Sequence, residues 1–151
     1  MLAAGLLAIL LLLFVRSLSR DLNHDEHQFI APAALLLHSG LLPYRDFPCF
    51  HTPDLIFVFA ALFATTTHYL LAARAFNAGC AALLLLLVFA FAARRFRPLS
   101  EDNGFIGLGF ALILSLNPFF RFTAGRAWNH DLPVLALVGA YFAFLRLAKS
   151  D

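Results

Sequence analysis

The sequence predicts an all-α fold: a polytopic bundle of transmembrane helices with an ordered outer loop that carries a short interfacial amphipathic helix. Composition is the first observation behind this prediction. Of the 151 residues, 62% are hydrophobic and only 13% are charged, whereas a soluble domain is about 45–50% apolar and about 25% charged. Because so small a chain leaves much of its surface exposed, the surplus apolar surface has to face lipid.

Five apolar segments are the second observation. All are rich in Leu, Ala and Phe and show no alternation of period two, a pattern that favours helices over a transmembrane barrel. Several are shorter than the ~20 residues of a usual bilayer crossing, so tilt or flanking residues must complete them. The segments cover residues 1–15, 55–73, 78–93, 105–116 and 132–147.

Charge excludes one class of partner and leaves another. The formal net charge is only +2, and no basic run is interleaved with stacking aromatics, so nucleic acid is not an expected partner. The lipid bilayer is. The chemistry that the apolar segments lack must therefore come from the polar loops.

The longest polar interval, residues 16–54, holds five of the nine acids and four of the six histidines. Within it, residues 26–38 have apolar side chains at helical spacing, and Ser39-Gly40 follows as a stop signal. This pattern predicts a short amphipathic helix at the interface, kinked or starting late because of Pro32. Residues 41–53 contain three prolines and read as an ordered loop.

The distribution of arginines decides between topologies. If all five segments cross and the N-terminus is inside, residues 16–54 and the 94–97 loop both lie outside, against the positive-inside tendency. Either the whole chain is flipped, or residues 55–93 cross only once in net terms, with 55–64 interfacial or re-entrant. We prefer the second topology, which puts residues 16–54 and 121–131 together on the outer side. The basic residues that it places inside are Arg94, Arg95, Arg97, Arg146 and Lys149.

Three polar groups are candidate sites. The first is the run of four ionisable residues 24–27. A carboxylate at a low-dielectric boundary can accept a proton from a hydroxyl nucleophile, which makes Asp25 and Glu26 catalytic candidates. The structural alternative is a helix cap, with Asn23 or Asp25 at the start and Glu26 in the first turn. His24 and His27 match no recognised metal-ligand motif, so no metal site is predicted.

The second group lies in the proline-rich loop and comprises Tyr44, Arg45, Asp46 and His51. Arginine and histidine are suited to holding a lipid-phosphate oxygen, so these residues are predicted to bind substrate. The alternative is a structural loop with an exposed Arg45–Asp46 ion pair that contributes little.

The third group, residues 125–131, precedes the last apolar segment. Asn129 and His130 are predicted to bind substrate and Asp131 to supply a second carboxylate, which converges with Asp25 if both loops share one side. The alternatives are an interfacial anchor at Trp128 and a helix cap at Asn129 or Asp131.

The order of these motifs resembles the membrane glycosyltransferases of the GT-C superfamily. The closest similarity is to the family 39-like group, which contains the protein O-mannosyltransferases and aminoarabinose transferases. The resemblance covers essentially the whole chain. The motifs are Asp25-Glu26, Gly40, Pro43-Tyr44-Arg45-Asp46, His51-Thr52-Pro53 and Asn129-His130-Asp131.

The resemblance implies inverting transfer of a sugar from a polyprenyl-phosphate carrier to an acceptor on the outer face of the membrane. It also implies a multi-pass protein of the bacterial inner membrane. It implies that Asp25 is the general base and that Asp131 is the second acidic residue. A divalent cation at Asp131 stays open. The chain departs from the aminoarabinose branch at His51, where that branch has a glutamate.

Members of this group are several times longer, so residues 1–151 are expected to form a single N-terminal transmembrane module, with the missing C-terminal part as a partner. Three alternatives remain. They are a non-catalytic membrane assembly or scaffold protein, a transporter fragment in which Arg74 is the ionisable candidate, and a metalloprotein that binds through His24 and His27.

Overall fold

The structure, a computed structural model, describes residues 1–96 and 103–148, and its regular elements there are helices. The prediction of an all-α fold is confirmed. Arg97 and Lys149, which belong to the predicted inner basic set, lie outside the described residues. In chain order the helices are α1 (Leu2–Leu18), a 3₁₀ turn (His24–Glu26), α2 (His27–Ser39), α3 (Asp54–Phe63), α4 (Tyr69–Arg95), α5 (Asn103–Leu116), α6 (Pro118–Thr123) and α7 (Asp131–Leu147).

The central element is α4, which packs against α1, α5 and α7. Its 27 residues correspond to about 40 Å at about 1.5 Å per residue. Among the described residues, α4 alone combines the length and apolar character that a bilayer crossing requires. The apolar helices α1, α3 and α5 are shorter.

The predicted division into segments 55–73 and 78–93 is wrong. Helix α4 runs without interruption through residues 74–77, and the chain breaks earlier, between α3 and α4 at residues 64–68. Arg74 and Asn77 do not end the helix because both are buried and hydrogen-bonded to other parts of the fold. The short α3, with 10 residues, fits the predicted interfacial segment 55–64 in its extent.

Helices α2 and α3 pack against each other and form one end of the core. The predicted helix 26–38 agrees with α2 within one residue, and the stop at Gly40 is confirmed by its φ of 66°, a left-handed conformation that glycine adopts without steric cost. Pro32 lies inside α2, so the late start is wrong. Phe29 and Ala33 are the residues of α2 that are buried in the core.

Helices α1, α4, α5 and α7 alternate in direction along the chain, and their termini define two opposite ends of the bundle. Phe91 of α4 stacks on Phe142 of α7 at 4.6 Å between ring centroids, and the start of α5 packs on the end of α4 at Gly107. A Cβ on Gly107 would lie 2.7 Å from the carbonyl oxygen of Phe89, so this helix contact requires glycine. The opposite end carries residues 19–54 and 121–131, which we call the polar end.

Candidate functional site

A buried ion pair forms the centre of the polar end. Arg74 is 2% exposed and Glu26 is 0% exposed. The guanidinium of Arg74 donates to both carboxylate oxygens, from Nε to Oε1 at 2.9 Å and from Nη2 to Oε2 at 2.7 Å. It also donates to the carbonyls of Arg20 at 2.7 Å and Asp21 at 2.9 Å. Arg74 therefore ties the end of the α1 segment to the start of α4.

Glu26 joins the two predicted outer loops. Its Oε1 accepts a hydrogen bond from the N–H of Ala127 at 2.9 Å, across 101 residues of sequence. Its Oε2 accepts from the N–H of Asn23 at 3.1 Å, while the Asn23 side chain accepts from the N–H of Asp25 at 2.9 Å. Asn23 and Glu26 thus form a capping box at the 3₁₀ turn that leads into α2, so the structural alternative of a cap at Asn23 is confirmed for that turn, whereas α2 itself has no side-chain cap.

The charge of Glu26 follows from these contacts. Burial alone raises the pKa of its carboxyl, but hydrogen bonds from Arg74, Ala127 and Asn23, together with the charge of Arg74, outweigh that effect. The pKa of Glu26 therefore lies below its ordinary value, and the residue is an ionised carboxylate at neutral pH.

The loop that precedes α7 is fixed from two sides. Asn77 of α4 donates from Nδ2 to the carbonyls of Arg126 at 2.5 Å and Trp128 at 2.8 Å. Ser17 of α1 donates from Oγ to the carbonyl of Gly125 at 2.5 Å. Gly125 itself has a φ of 74°. Asn77 and Ser17 could not be recognised as positioning residues from the sequence, because the partner of each is a backbone carbonyl distant in the chain.

Asp131 is buried and turns back to this loop. Its Oδ2 accepts a hydrogen bond from the N–H of Gly125 at 2.8 Å. Burial raises the pKa of Asp131 to about 7, against the opposing effects of the Gly125 N–H and the charge of Arg20. The residue stands before the apolar segment 132–147. The N-terminal cap position of α7 is His130, which makes no side-chain cap bond, so the alternative in which Asn129 or Asp131 caps this helix is wrong.

Trp128 is buried in the core cluster, so its interpretation as an interfacial anchor is wrong. Its ring contacts those of Phe122 and His130, each with a centroid separation of 5.5 Å. Asn129 is half-buried and His130 is exposed. Within the described residues, neither of these two side chains makes a hydrogen bond with Asp25.

The carboxylate of Asp25, in contrast to that of Glu26, is exposed at the surface of the protein. Its side chain is 41% exposed. Its Oδ1 lies 3.0 Å from Nε2 of His24 and accepts from Nε2 of Gln28 at 3.3 Å. The Oε1 of Gln28 is in turn 3.1 Å from Nε2 of His51. Gln28, which is not among the predicted site residues, therefore connects Asp25 to His51. Its position three residues after Asp25 in a helical stretch is the signal by which the sequence could have indicated it.

The loop of residues 41–53 is ordered around the backbone of His51. The hydroxyl of Tyr44 donates to the His51 carbonyl at 2.5 Å, and the thiol of Cys49 donates to it at 3.2 Å. The imidazole of His51 packs on Phe29 of α2 at 5.1 Å between ring centroids. These contacts place His51 beside the start of α2.

Arg45 and Asp46 form the exposed ion pair that the structural alternative described, with Nη2 of Arg45 2.7 Å from Oδ2 of Asp46. Asp46 also accepts a hydrogen bond from the N–H of Leu42 at 2.8 Å. Hydrogen bonds from Arg45 and Leu42 hold the pKa of Asp46 below its ordinary value. Both charges are accessible to a ligand at the surface.

In the described ranges 1–96 and 103–148, no three His, Cys, Asp or Glu side chains form a group that could hold a metal ion. Comparisons with protein-family models, curated proteins and solved structures found no match for the chain. The candidate site consists of the exposed Asp25 carboxylate, which contacts His24 directly and His51 through Gln28, next to a buried ion pair that joins both polar loops.

Proposed function

We propose that the chain is a polytopic membrane protein in which α1, α4, α5 and α7 cross the bilayer and the α2–α3 pair lies at its outer interface. The outward faces of α1, α5 and α7 support this proposal because they expose large apolar side chains. These are Leu7, Leu11, Leu12, Val15, Phe105, Phe110, Leu112, Ile113, Leu116, Val134, Leu137, Tyr141 and Phe144. Water contact would be costly for so much apolar surface, whereas lipid contact would not.

The lengths of these helices need to be reconciled with a bilayer. With 17, 14 and 17 residues, α1, α5 and α7 are shorter than the ~20 residues of a usual crossing. At the polar end, α6 continues the apolar surface of α5 through the exposed Phe119 and Phe122. Local thinning of the bilayer and these flanking residues accommodate the shorter helices.

Given this membrane topology, we propose that the chain is the N-terminal part of a glycosyltransferase that uses a polyprenyl-phosphate-linked sugar. The observation that carries this proposal is the exposed Asp25 carboxylate, fixed at the end of the bundle between His24 and Gln28. The resemblance to the family 39-like group assigns the general base to this same position. A base held by neighbouring contacts on rigid elements meets the geometric requirement of general-base catalysis.

In the proposed reaction, Asp25 takes the proton of an acceptor hydroxyl while the hydroxyl oxygen forms a bond to the anomeric carbon of the sugar. The bond between that carbon and the phosphate oxygen breaks, and its electron pair leaves with the polyprenyl phosphate. Attack from the opposite face inverts the configuration. Arg45 and His51 stabilise the charge that develops on the departing phosphate, and the backbone contacts of Tyr44 and Asp46 hold that loop in place.

Glu26 and Asp131 have different roles in this proposal. Both oxygens of Glu26 are occupied by Arg74, Ala127 and Asn23, so Glu26 positions Asp25 rather than reacting. Asp131 fixes the loop that bears Asn129 and His130 through its hydrogen bond from the N–H of Gly125, and no neighbouring ligands in the described residues fit a divalent cation there. Asn129 and His130 would contact substrate from that loop.

The test is a sugar-transfer assay in membranes that contain the chain together with any downstream sequence of its reading frame. Donors are polyprenyl-phosphate mannose and polyprenyl-phosphate aminoarabinose. Asp25→Asn should reduce transfer by about 10²–10⁴-fold, the usual contribution of a positioned base. Asp21→Asn is the matched control, because Asp21 is an exposed aspartate of the same segment. Transfer at the wild-type rate in Asp25→Asn, or none by the wild type with either donor, contradicts the proposal.

The alternatives predict other outcomes. A transporter fragment needs an ionisable residue near the bilayer midplane, but Arg74 lies in the second turn of α4, at the polar end, with its donors occupied. A membrane assembly or scaffold protein would retain its function in Asp25→Asn. The absence of sugar transfer by the wild type would favour the scaffold.

A further inference from the structure

A groove of 490 Å³ lies between α1 and the α5–α6 segment, and its walls differ in character along its length. Its volume is within the range of about 300–1,000 Å³ that is usual for ligand sites. One part is apolar, lined by Ile9, Leu12, Leu13, Leu85, Leu112 and Leu116. The part toward the polar end is lined by Arg16, Arg20 and Arg121.

The three arginines form an unbalanced cationic group. Burial, followed by the charges of Arg16, Arg126 and Arg74, lowers the pKa of Arg20 to about 10, and Asp131 opposes this only in part. Within residues 1–96 and 103–148, neither Arg16 nor Arg121 forms an ion pair with a carboxylate. Both are exposed, so their charges are available to an anion.

Arg20 differs from Arg16 and Arg121 because its guanidinium is hydrogen-bonded within the protein. Its Nη1 donates to the carbonyls of Phe122 at 3.1 Å and Ala124 at 3.2 Å, and its Nη2 donates to the carbonyl of Arg121. These bonds satisfy carbonyls at the end of α6 and fix Arg121 at the edge of the groove. In the described part of the chain, Arg16 and Arg121 are therefore left without a carboxylate partner, on opposite walls of the groove.

We propose that this groove binds one anionic phospholipid, with its phosphate between Arg16 and Arg121 and an acyl chain along the apolar wall. Charge complementarity selects a phosphate, and the adjoining apolar wall selects an amphiphile over a free anion. The proposal rests on the membrane embedding proposed above but not on sugar transfer. The groove shares no lining residue with the cluster of Asp25, Gln28 and His51.

The experiment is native mass spectrometry of the detergent-solubilised chain, titrated with phosphatidylglycerol or with phosphatidylcholine of the same acyl chains. Wild type should retain one phosphatidylglycerol in preference to phosphatidylcholine. Because each arginine near an anionic lipid contributes on the order of fivefold, the double variant Arg16→Gln/Arg121→Gln should lose roughly thirtyfold in phosphatidylglycerol affinity. Arg146→Gln removes an exposed charge of α7 outside the groove and should bind as wild type does.

A second variant separates the apolar wall from the charges. Leu112→Trp fills the groove while both arginines remain, and it should also lose the bound lipid. Equal binding of both phospholipids, unchanged binding in the double variant, displacement by an equal concentration of inorganic phosphate, or preferred binding of polyprenyl phosphate would each overturn the proposal. None of these measurements involves a sugar donor. Failure of lipid binding is therefore distinguishable from failure of sugar transfer. Failure of membrane embedding would show separately, as extraction of the chain without detergent.

Discussion

Arg74 and Glu26 are 48 residues apart in sequence, yet they form a bidentate ion pair that is almost completely shielded from solvent. Desolvation of two charges is costly, and a buried pair persists only when further hydrogen bonds satisfy its remaining polar groups. Here those bonds come from Asn23 and Ala127 to the carboxylate, and from the guanidinium to two carbonyls of the α1–α2 connection. The pair therefore fixes three separate stretches of chain.

We expect Glu26→Gln to lower the free energy of unfolding by about 3–5 kcal/mol, because it leaves the guanidinium of Arg74 buried without its counter-charge. Unfolding in detergent, followed by the loss of helical circular dichroism, measures this change. Asp25→Asn is the control in the same turn. Its side chain is partly exposed, so the expected change is within about 1 kcal/mol. Equal destabilisation by the two variants would contradict the central role of Glu26.

The free energy of unfolding should depend on pH through the ionisation of Glu26. Because its pKa is lowered in the folded state, its contribution is complete above the unfolded value of about 4.3 and is lost as pH falls through the folded value. Asp131, with a raised pKa, gives the opposite slope between about pH 4 and 7. The difference in unfolding free energy between wild type and Glu26→Gln isolates the first effect. That difference should shrink below about pH 4, and one that stays constant to pH 2 would refute this origin.

Gly125→Ala should destabilise the chain. The φ of Gly125 is 74°, and a Cβ there would lie 2.6 Å from the Cβ of Ser17, so backbone strain and overpacking together should cost about 2–5 kcal/mol. Gly79→Ala is the matched control, because a Cβ at that position of α4 has no neighbour within 4 Å. Alanine there should be neutral or stabilising by up to about 1 kcal/mol. Thermal unfolding of the two variants in one detergent gives the comparison.

The proposed orientation predicts opposite accessibility at the two ends of α4. Cys49 belongs to the polar end, and about 30 Å of helix separates Arg74 from Arg94. A membrane-impermeant thiol reagent should label Cys49 in intact spheroplasts. In a Cys49→Ala background, Arg94→Cys should react only after permeabilisation. The reverse pattern would place the polar end inside and refute the proposed outer site.

Much of the fold is readable from local sequence, because local chemistry determines it. Gly40 ends α2, Asn117-Pro118 separates α5 from α6, and the spacing of apolar residues within 26–38 gives α2 its buried face. The boundary of α4 was not predictable in this way. Arg74 and Asn77 have the local character of a polar linker, and only their distant partners, Glu26 and the 126–128 carbonyls, make a continuous helix favourable.

The same distinction holds at the candidate site. The sequence indicated that Asp25 and Glu26 belong together, but not that one carboxylate is exposed and the other buried. Which of two adjacent carboxylates faces the core depends on where Arg74 and Ala127 arrive from elsewhere in the chain. Gln28 was missed for a related reason, since its value comes from the arrival of His51 at its side.

The most direct measurement compares transfer rate and unfolding free energy in Asp25→Asn. We predict that this variant unfolds within about 1 kcal/mol of wild type while its rate of transfer from the polyprenyl-phosphate-linked sugar falls by at least about 10²-fold. Such a result separates the reacting carboxylate of Asp25 from the structural carboxylate of Glu26. A folded Asp25→Asn variant that transfers sugar at the wild-type rate would contradict the assignment of Asp25 as the base.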